Sequence, residues 1–227
     1  MDDTIYYNVK VKTFPDGIKQ YTYSEKPKAK GYKRGEVEHT GESVERKEYE
    51  NSRRAMQKIY DLAKSNHFDY FVTLTFDQRF VDRYDYDSCA EAMKSFTKYL
   101  CKQGNRWIIV PEQHEDGAYH FHGLIAGELD LTHFKGEVYN LNGYKYGFTT
   151  ASKIKDAKRV SSYLAKYMTK EITVPKGRKR YWASRKLQLP AEDFVVMDTY
   201  EFGEHFNNAR YQKKIDTPYG LYLIVET

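Results

Sequence analysis

This chain lacks long apolar runs, and it lacks most of the residues that build disulfide or zinc scaffolds. No stretch approaches the ~20 consecutive apolar residues of a membrane span, so no membrane partner is expected. The opening, MDDTIYYNVK, has no basic segment followed by an apolar one. That excludes the ordinary secretory signal, and a cytoplasmic protein is expected. The two cysteines, Cys89 and Cys101, fall in a predicted helix and read as reduced thiols. With no Cys-x-x-Cys, a zinc ribbon is excluded. With no Gly-x-x-x-x-Gly-Lys-Ser/Thr, so is a P-loop module. The 227 residues suffice for one large domain, or a domain with extensions, around a proper core.

What the chain has is unevenly spread. The net charge is +5, yet residues 151–186 alone hold twelve Lys/Arg against two Asp/Glu, a local net of +10. The other 191 residues carry a net of −5. One basic segment on a slightly acidic body reads as a polyanion site. Tyrosine is abundant, at 22 residues, and aromatic rings beside cations suit stacking on unpaired bases, although strands also favour tyrosine.

The richest stretch is residues 106–127, RWIIVPEQHEDGAYHFHGLIAG. It predicts a β-hairpin. On a strand His120 and His122 point one way and Phe121 the other. Two imidazoles on one face suit a divalent metal, whose ligands must come within about 2.0–2.2 Å of a common centre. Glu112 is the candidate third ligand, and its reach depends on the turn. A two-residue turn, Asp116-Gly117, sets Glu112 opposite Phe121 and away from the histidines. A three-residue loop, Glu115-Asp116-Gly117, sets it opposite His120, with His114 on the same face nearer the turn. The longer loop needs its last residue in the left-handed region, which Gly117 supplies. We therefore expect the three-residue loop.

Around this hairpin the chain reads as α+β. Residues 4–23 alternate like strands about Pro15-Asp16-Gly17 and predict a hairpin. Residues 24–43, with Lys26, Lys28, Lys30, Lys33 and Arg34, read as a solvated loop or basic arm. A helix from an N-cap at Ser43 to about Ser65-Asn66 carries a core stripe of Tyr49, Met56, Ile59, Tyr60 and Ala63. DYFVTLTF, residues 69–76, predicts a central strand: Val72, Leu74 and Phe76 lie on one face, Phe71, Thr73 and Thr75 on the other. Asp87 or Ser88 caps a helix over 88–103 with Cys89, Met93, Phe96 and Leu100 on its stripe, ended by Gly104. Leu131–Phe134 reads as a short turn, Asn142-Gly143 as a hairpin signal, 144–150 as a short strand, and 193–202 and 219–226 as strands.

The segment 151–171 predicts a helix from about Asp156 to Lys170. Tyr163, Lys166, Tyr167 and Lys170 share one face, and Val160, Leu164 and Met168 another. A tyrosine hydroxyl can attack a phosphodiester in line and displace the 3′-oxygen. This leaves a 5′-phosphotyrosine and a free 3′-OH, with the ester energy kept for rejoining. The unperturbed phenol is a poor nucleophile, with a pKa of about 10, so it needs help from a metal and from a neighbouring cation such as Lys166. Two tyrosines one turn apart would permit two successive transfers.

TLTF, then His-Phe-His with a glutamate eight residues before its first histidine, then Tyr-x-x-Lys-Tyr, in that order, resemble the three motifs of HUH endonucleases of the replication-initiator (Rep) branch. The likeness covers roughly residues 50–190 and is nearest to small rolling-circle initiators of bacterial phages and mobile elements. It implies a central antiparallel sheet flanked by helices. It implies His120, His122 and Glu112 as ligands of Mn²⁺ or Mg²⁺, Tyr163 as nucleophile with Lys166 beside it, and Tyr167 as a second nucleophile. YLAKYMTK holds Tyr-x-x-Lys twice, at 163/166 and 167/170, so either register can place the attacking tyrosine; the Lys-Tyr pair after it favours Tyr163. The implied partners are single-stranded DNA at a replication origin, in hairpin form, and a separate host or element-encoded helicase, in a bacterial cytoplasm.

Candidate DNA contacts are Lys153, Arg159, Lys170, Arg178, Lys179 and Arg180, with Trp182 either available for stacking or half in the core. The expected organisation is a hairpin and basic arm over 1–43, the endonuclease core over 44–190, and C-terminal strands over 191–227 that complete or extend it. The competing readings are a transposase or relaxase of the same chemistry, a non-catalytic metal-containing nucleic-acid-binding protein, and a nuclease that activates water.

Overall fold

A computed structural model describes residues 4–31, 41–155, 174–217 and 220–227. The described residues form two antiparallel sheets and three helices, an α+β fold. They fall into two compact units, one of residues 41–188 and one of residues 1–40 with 189–227. No described helix is long and apolar enough to cross a membrane.

The larger unit is built on strands β3 (Tyr70–Thr75), β4 (Arg106–Gln113), β5 (Tyr119–Ala126), β6 (Leu131–Lys135), β7 (Val138–Leu141), β8 (Thr149–Lys153) and β9 (Trp182–Ala183), in the order β6-β7-β8-β3-β5-β4-β9. β3 lies between β8 and β5, so it is the covered strand its two apolar faces predict. Helix α2 (Tyr86–Lys102) packs on one face. Its Cys89, Met93, Phe96 and Leu100 bury among Val72, Leu74, Phe121 and Ile125. Each such burial contributes about 1.5–3 kcal/mol. Helix α1 (Gly41–Lys64) serves the opposite face, where Ile59, Leu62 and Ala63 meet Ile108, Val110 and Leu124.

Several local expectations change. The cap of α2 is Asp85, whose carboxylate accepts from Ser88 N at 2.8 Å and Ser88 Oγ at 2.7 Å, not Asp87 or Ser88. α1 begins at Gly41, two residues before Ser43, and its end at Lys64 matches the expected stop. Tyr49 is exposed, with the Arg53 guanidinium over its ring, and Leu62 takes a place in the core stripe. Leu131–Lys135 is a strand because it pairs with β7, and the last strand of that group is 149–153, five residues later than 144–150.

The smaller unit joins β1 (Ile5–Thr13), β2 (Lys19–Lys30), β10 (Ala191–Val195), β11 (Tyr211–Thr217) and β12 (Gly220–Glu226) in the order β10-β1-β2-β12-β11. β2 runs through residues 24–30, expected to be loop. After an irregularity at Tyr7/Val9, Ile5, Tyr6 and Tyr7 pair with Lys30, Ala29 and Lys28. The ammoniums of Lys28 and Lys30 lie over Tyr222 and Phe194, at 4.4 and 3.9 Å from the ring centroids. Residues 199–202, expected to continue a strand, open helix α3 (Thr199–Asn207), because the Asp198 carboxylate caps it by accepting from Glu201 N at 2.7 Å. Phe202 of α3 buries against Val9, Val11, Tyr21 and Val225.

Gly147 holds the end of β3 in place. Its φ is +152°, and a Cβ there would lie 2.3 Å from the Thr75 carbonyl oxygen. Phe148 O accepts from Thr75 N at 2.9 Å beside it. Gly147→Ala is therefore expected to cost more than Gly117→Ala, whose Cβ would meet only Tyr84 at 3.8 Å. Left-handed strain alone costs about 1–2 kcal/mol. Urea unfolding of the two variants checks the order; equal costs would show that the Thr75 carbonyl yields freely.

Candidate metal centre

The hairpin closes as the odd-length loop requires. Glu112 pairs with His120 and Gln113 with Tyr119. His114 N donates to Ala118 O at 2.9 Å, which leaves Glu115, Asp116 and Gly117 as the loop. Gly117 takes φ +87°, and Asp116 Oδ1 accepts from Ala118 N at 3.0 Å.

Three strands then supply one row of side chains. Thr75 pairs with His120, and His120 with Glu112; Thr73 pairs with His122. Alternation puts Phe121 on the other face, where it meets Phe76 edge-on at 5.5 Å. Thr75 Oγ1 is 3.1 Å from His120 Nδ1, and Thr73 Oγ1 is 3.1 Å from His122 Nδ1. Both rings thus turn Nε2 away from β3. His122 Nε2 meets Glu112 Oε2 at 2.5 Å, and both side chains are little exposed, at 11% and 13%. The contact is diagonal, since Val110 is the direct partner of His122. The His114 ring lies 3.9 Å from that of His120, and Glu112, Gln113, His114, Glu115 and Asp116 line an open depression of about 320 Å³.

Two imidazoles and a carboxylate are a donor set that suits Mn²⁺, Mg²⁺ or Zn²⁺. Among the described residues no three His, Cys, Asp or Glu side chains enclose a metal-sized point as they stand. The direct Glu112–His122 hydrogen bond accounts for this. Donors at about 2.1 Å from one ion stand about 3.0–3.4 Å apart, so the carboxylate has to withdraw by less than about 1 Å. The residues fit the ion with that small adjustment.

The remaining predicted residues are placed differently. Lys153 pairs with Tyr70, at the other end of β3 and on the α2 face, so it is not brought to the histidines. Arg178 is ion-paired with Asp87, and Arg180 with Glu48. The backbone carbonyl of Lys179 accepts from Tyr86 Oη at 2.5 Å. Trp182 is half in the core, stacked near Tyr86 at 6.3 Å and tilted on Phe121 at 5.2 Å, on the face opposite the histidines. Its ring is engaged there and is not an open stacking platform. Arg159, Tyr163, Lys166, Tyr167 and Lys170, with the helix expected over 156–170, lie outside the described residues. The threonine–histidine bonds are what sequence reasoning missed; the matching two-residue spacings of Thr-x-Thr and His-x-His were the available signal.

Residues 69–172 match a family model of replication-associated proteins, the ORF2 family. That span runs from the start of β3 through the hairpin to the Tyr-Lys segment and supports a replication initiator of Rep type. No curated protein and no solved structure matches the chain.

Burial, with His114 and His122 close by, pushes His120 down to about 4. Its ring is therefore neutral near pH 7, the form that binds a cation. In the unfolded chain the same imidazole takes a proton near its ordinary value of about 6.5. Between those values the unfolded state binds more protons, so stability falls as pH drops from about 6.5 toward 4. In metal-free protein, His120→Gln is expected to flatten this part of the urea-stability profile relative to wild type. Parallel profiles would show that the folded ring titrates normally.

Proposed function

We propose that this chain is a metal-dependent, site-specific single-strand DNA nicking and joining enzyme of the HUH type. It would start rolling-circle replication through a 5′-phosphotyrosine intermediate. The observation that carries the proposal is the row Thr75–His120–Glu112 with His122 beside it. The family match, which spans both this row and Tyr163, Lys166 and Tyr167, supports it.

In this reading His120, His122 and Glu112 hold Mn²⁺ or Mg²⁺. The bound ion polarises the scissile phosphate and offsets charge that develops on its oxygens. Tyr163 Oη attacks phosphorus and gives up its proton as the P–O bond to the 3′-oxygen breaks. The departing oxygen takes up a proton and leaves as the 3′-OH. Lys166 balances charge on the phenolate or the phosphate. Tyr167 serves a second transfer, in which a free 3′-OH attacks the phosphotyrosine and the tyrosine leaves. The basic segment 151–186 supplies phosphate contacts, through residues such as Lys170 and Lys179, and a separate helicase opens the duplex.

An adduct assay tests this. Wild type with Mn²⁺ and single-stranded DNA carrying the origin of its own element is expected to give a DNA-shifted protein band on a denaturing gel. EDTA, His120→Ala and Tyr163→Phe are each expected to abolish it. A band lost in Tyr167→Phe but kept in Tyr163→Phe moves the first attack one turn along. Cleavage without an adduct means that water is the nucleophile. Tight binding with neither cleavage nor adduct means a binding protein.

A further inference from the structure

We propose that Thr73 and Thr75 are positioning residues that set the ring plane and tautomer of His122 and His120. Their hydroxyls would reverse between donor and acceptor as a cation replaces the Nε2 proton. The proposal rests on the reading of the two histidines as ligands.

A neutral imidazole carries one proton. In this structure His122 Nε2 faces the Glu112 carboxylate at 2.5 Å, and a carboxylate only accepts, so the proton is on Nε2. Nδ1 then accepts, and Thr73 donates to it across 3.1 Å. A cation bound at Nε2 demands the opposite: the ring proton must be on Nδ1, and Thr73 Oγ1 must accept it. A carbonyl or a carboxylate in place of Thr73 can only accept and would hold the ring in the metal-ready tautomer alone. A hydroxyl serves both states by rotation about one bond. Thr75 faces His120 Nδ1 at the same 3.1 Å.

The sheet makes this pairing rigid. Thr73 and Thr75 are two residues apart, as are the histidines, and the antiparallel register sets each threonine directly opposite its partner. If the threonines were there only as β-branched strand formers, valine would serve as well. Valine keeps the shape and removes the hydroxyl, so it separates the two roles.

The test uses the full chain. Metal-free wild type, Thr73→Val, Thr75→Val and the corresponding serine variants are compared by ¹⁵N-detected imidazole NMR, and then titrated with Mn²⁺ alone. The valine variants are expected to unfold in urea like wild type but to change the Nδ1/Nε2 proton distribution of the facing histidine. Their Mn²⁺ dissociation constants are expected to weaken about 10–100-fold, and serine should restore both readouts. Alanine replaces valine wherever a valine variant fails to fold. Wild-type imidazole signals and wild-type Mn²⁺ affinity in the valine variants would overturn the proposal. If wild type itself binds no Mn²⁺, the ligand reading falls, and unchanged imidazole signals would then overturn the positioning role separately.

Discussion

Side chains along a strand alternate between faces, so a slip of one residue in the pairing of β3, β5 or β4 would send the threonines, histidines or glutamate to the wrong side. The site depends on that register being held. Gly117 allows a loop of three residues where a loop of two would turn Glu112 away. Gly147 allows the chain to pass against the Thr75 carbonyl and fix the end of β3. Phe121, buried between the two histidines in sequence, ties β5 to the opposite core. The pattern His-Phe-His thus carries two instructions: the histidines make the site, and the phenylalanine prevents the slip that would destroy it.

The two faces of the large sheet are used differently. The α2 face is apolar along its length. The α1 face is apolar at Ile108, Val110 and Leu124 and turns polar at Glu112, His120, Thr73 and Thr75. The polar row therefore borders a core without being sealed by it. Partial burial keeps His120 neutral and strengthens the Glu112–His122 contact, while the depression beside it stays open. Its wall holds Glu112, Glu115 and Asp116, which would attract a cation and repel a bare phosphate. An ion bound there would reverse that local sign, and this is why the metal and the substrate are linked in the proposed function.

The hairpin, its loop length and the face of each ligand were legible because periodicity and a single glycine determine them locally. The stripes of α2 and most of α1 were legible for the same reason. What local pattern did not reveal was pairing over long sequence distances. Lys28 and Lys30 look like part of a polar arm until Ile5–Tyr7 pair with them and Tyr222 and Phe194 receive their ammoniums. β12 lies beside β2 although about 200 residues separate them in sequence. Short caps were also missed: Asp85 and Asp198 each set a helix start through one carboxylate, a signal readable only when the right Asp is chosen among neighbours. Trp182 shows the limit of composition. It sits in the most basic stretch of the chain, yet its ring packs on Phe121 and Tyr86.

The central claim is that the hairpin face holds one divalent cation. The most direct measurement is anomalous diffraction from crystals of the full chain grown with Mn²⁺. The account predicts one manganese peak bonded to Nε2 of His120, Nε2 of His122 and the Glu112 carboxylate, at about 2.0–2.2 Å. The ring proton of each histidine should then face its threonine. A structure with manganese bound elsewhere, or with the Glu112–His122 hydrogen bond intact at saturating Mn²⁺, would contradict it.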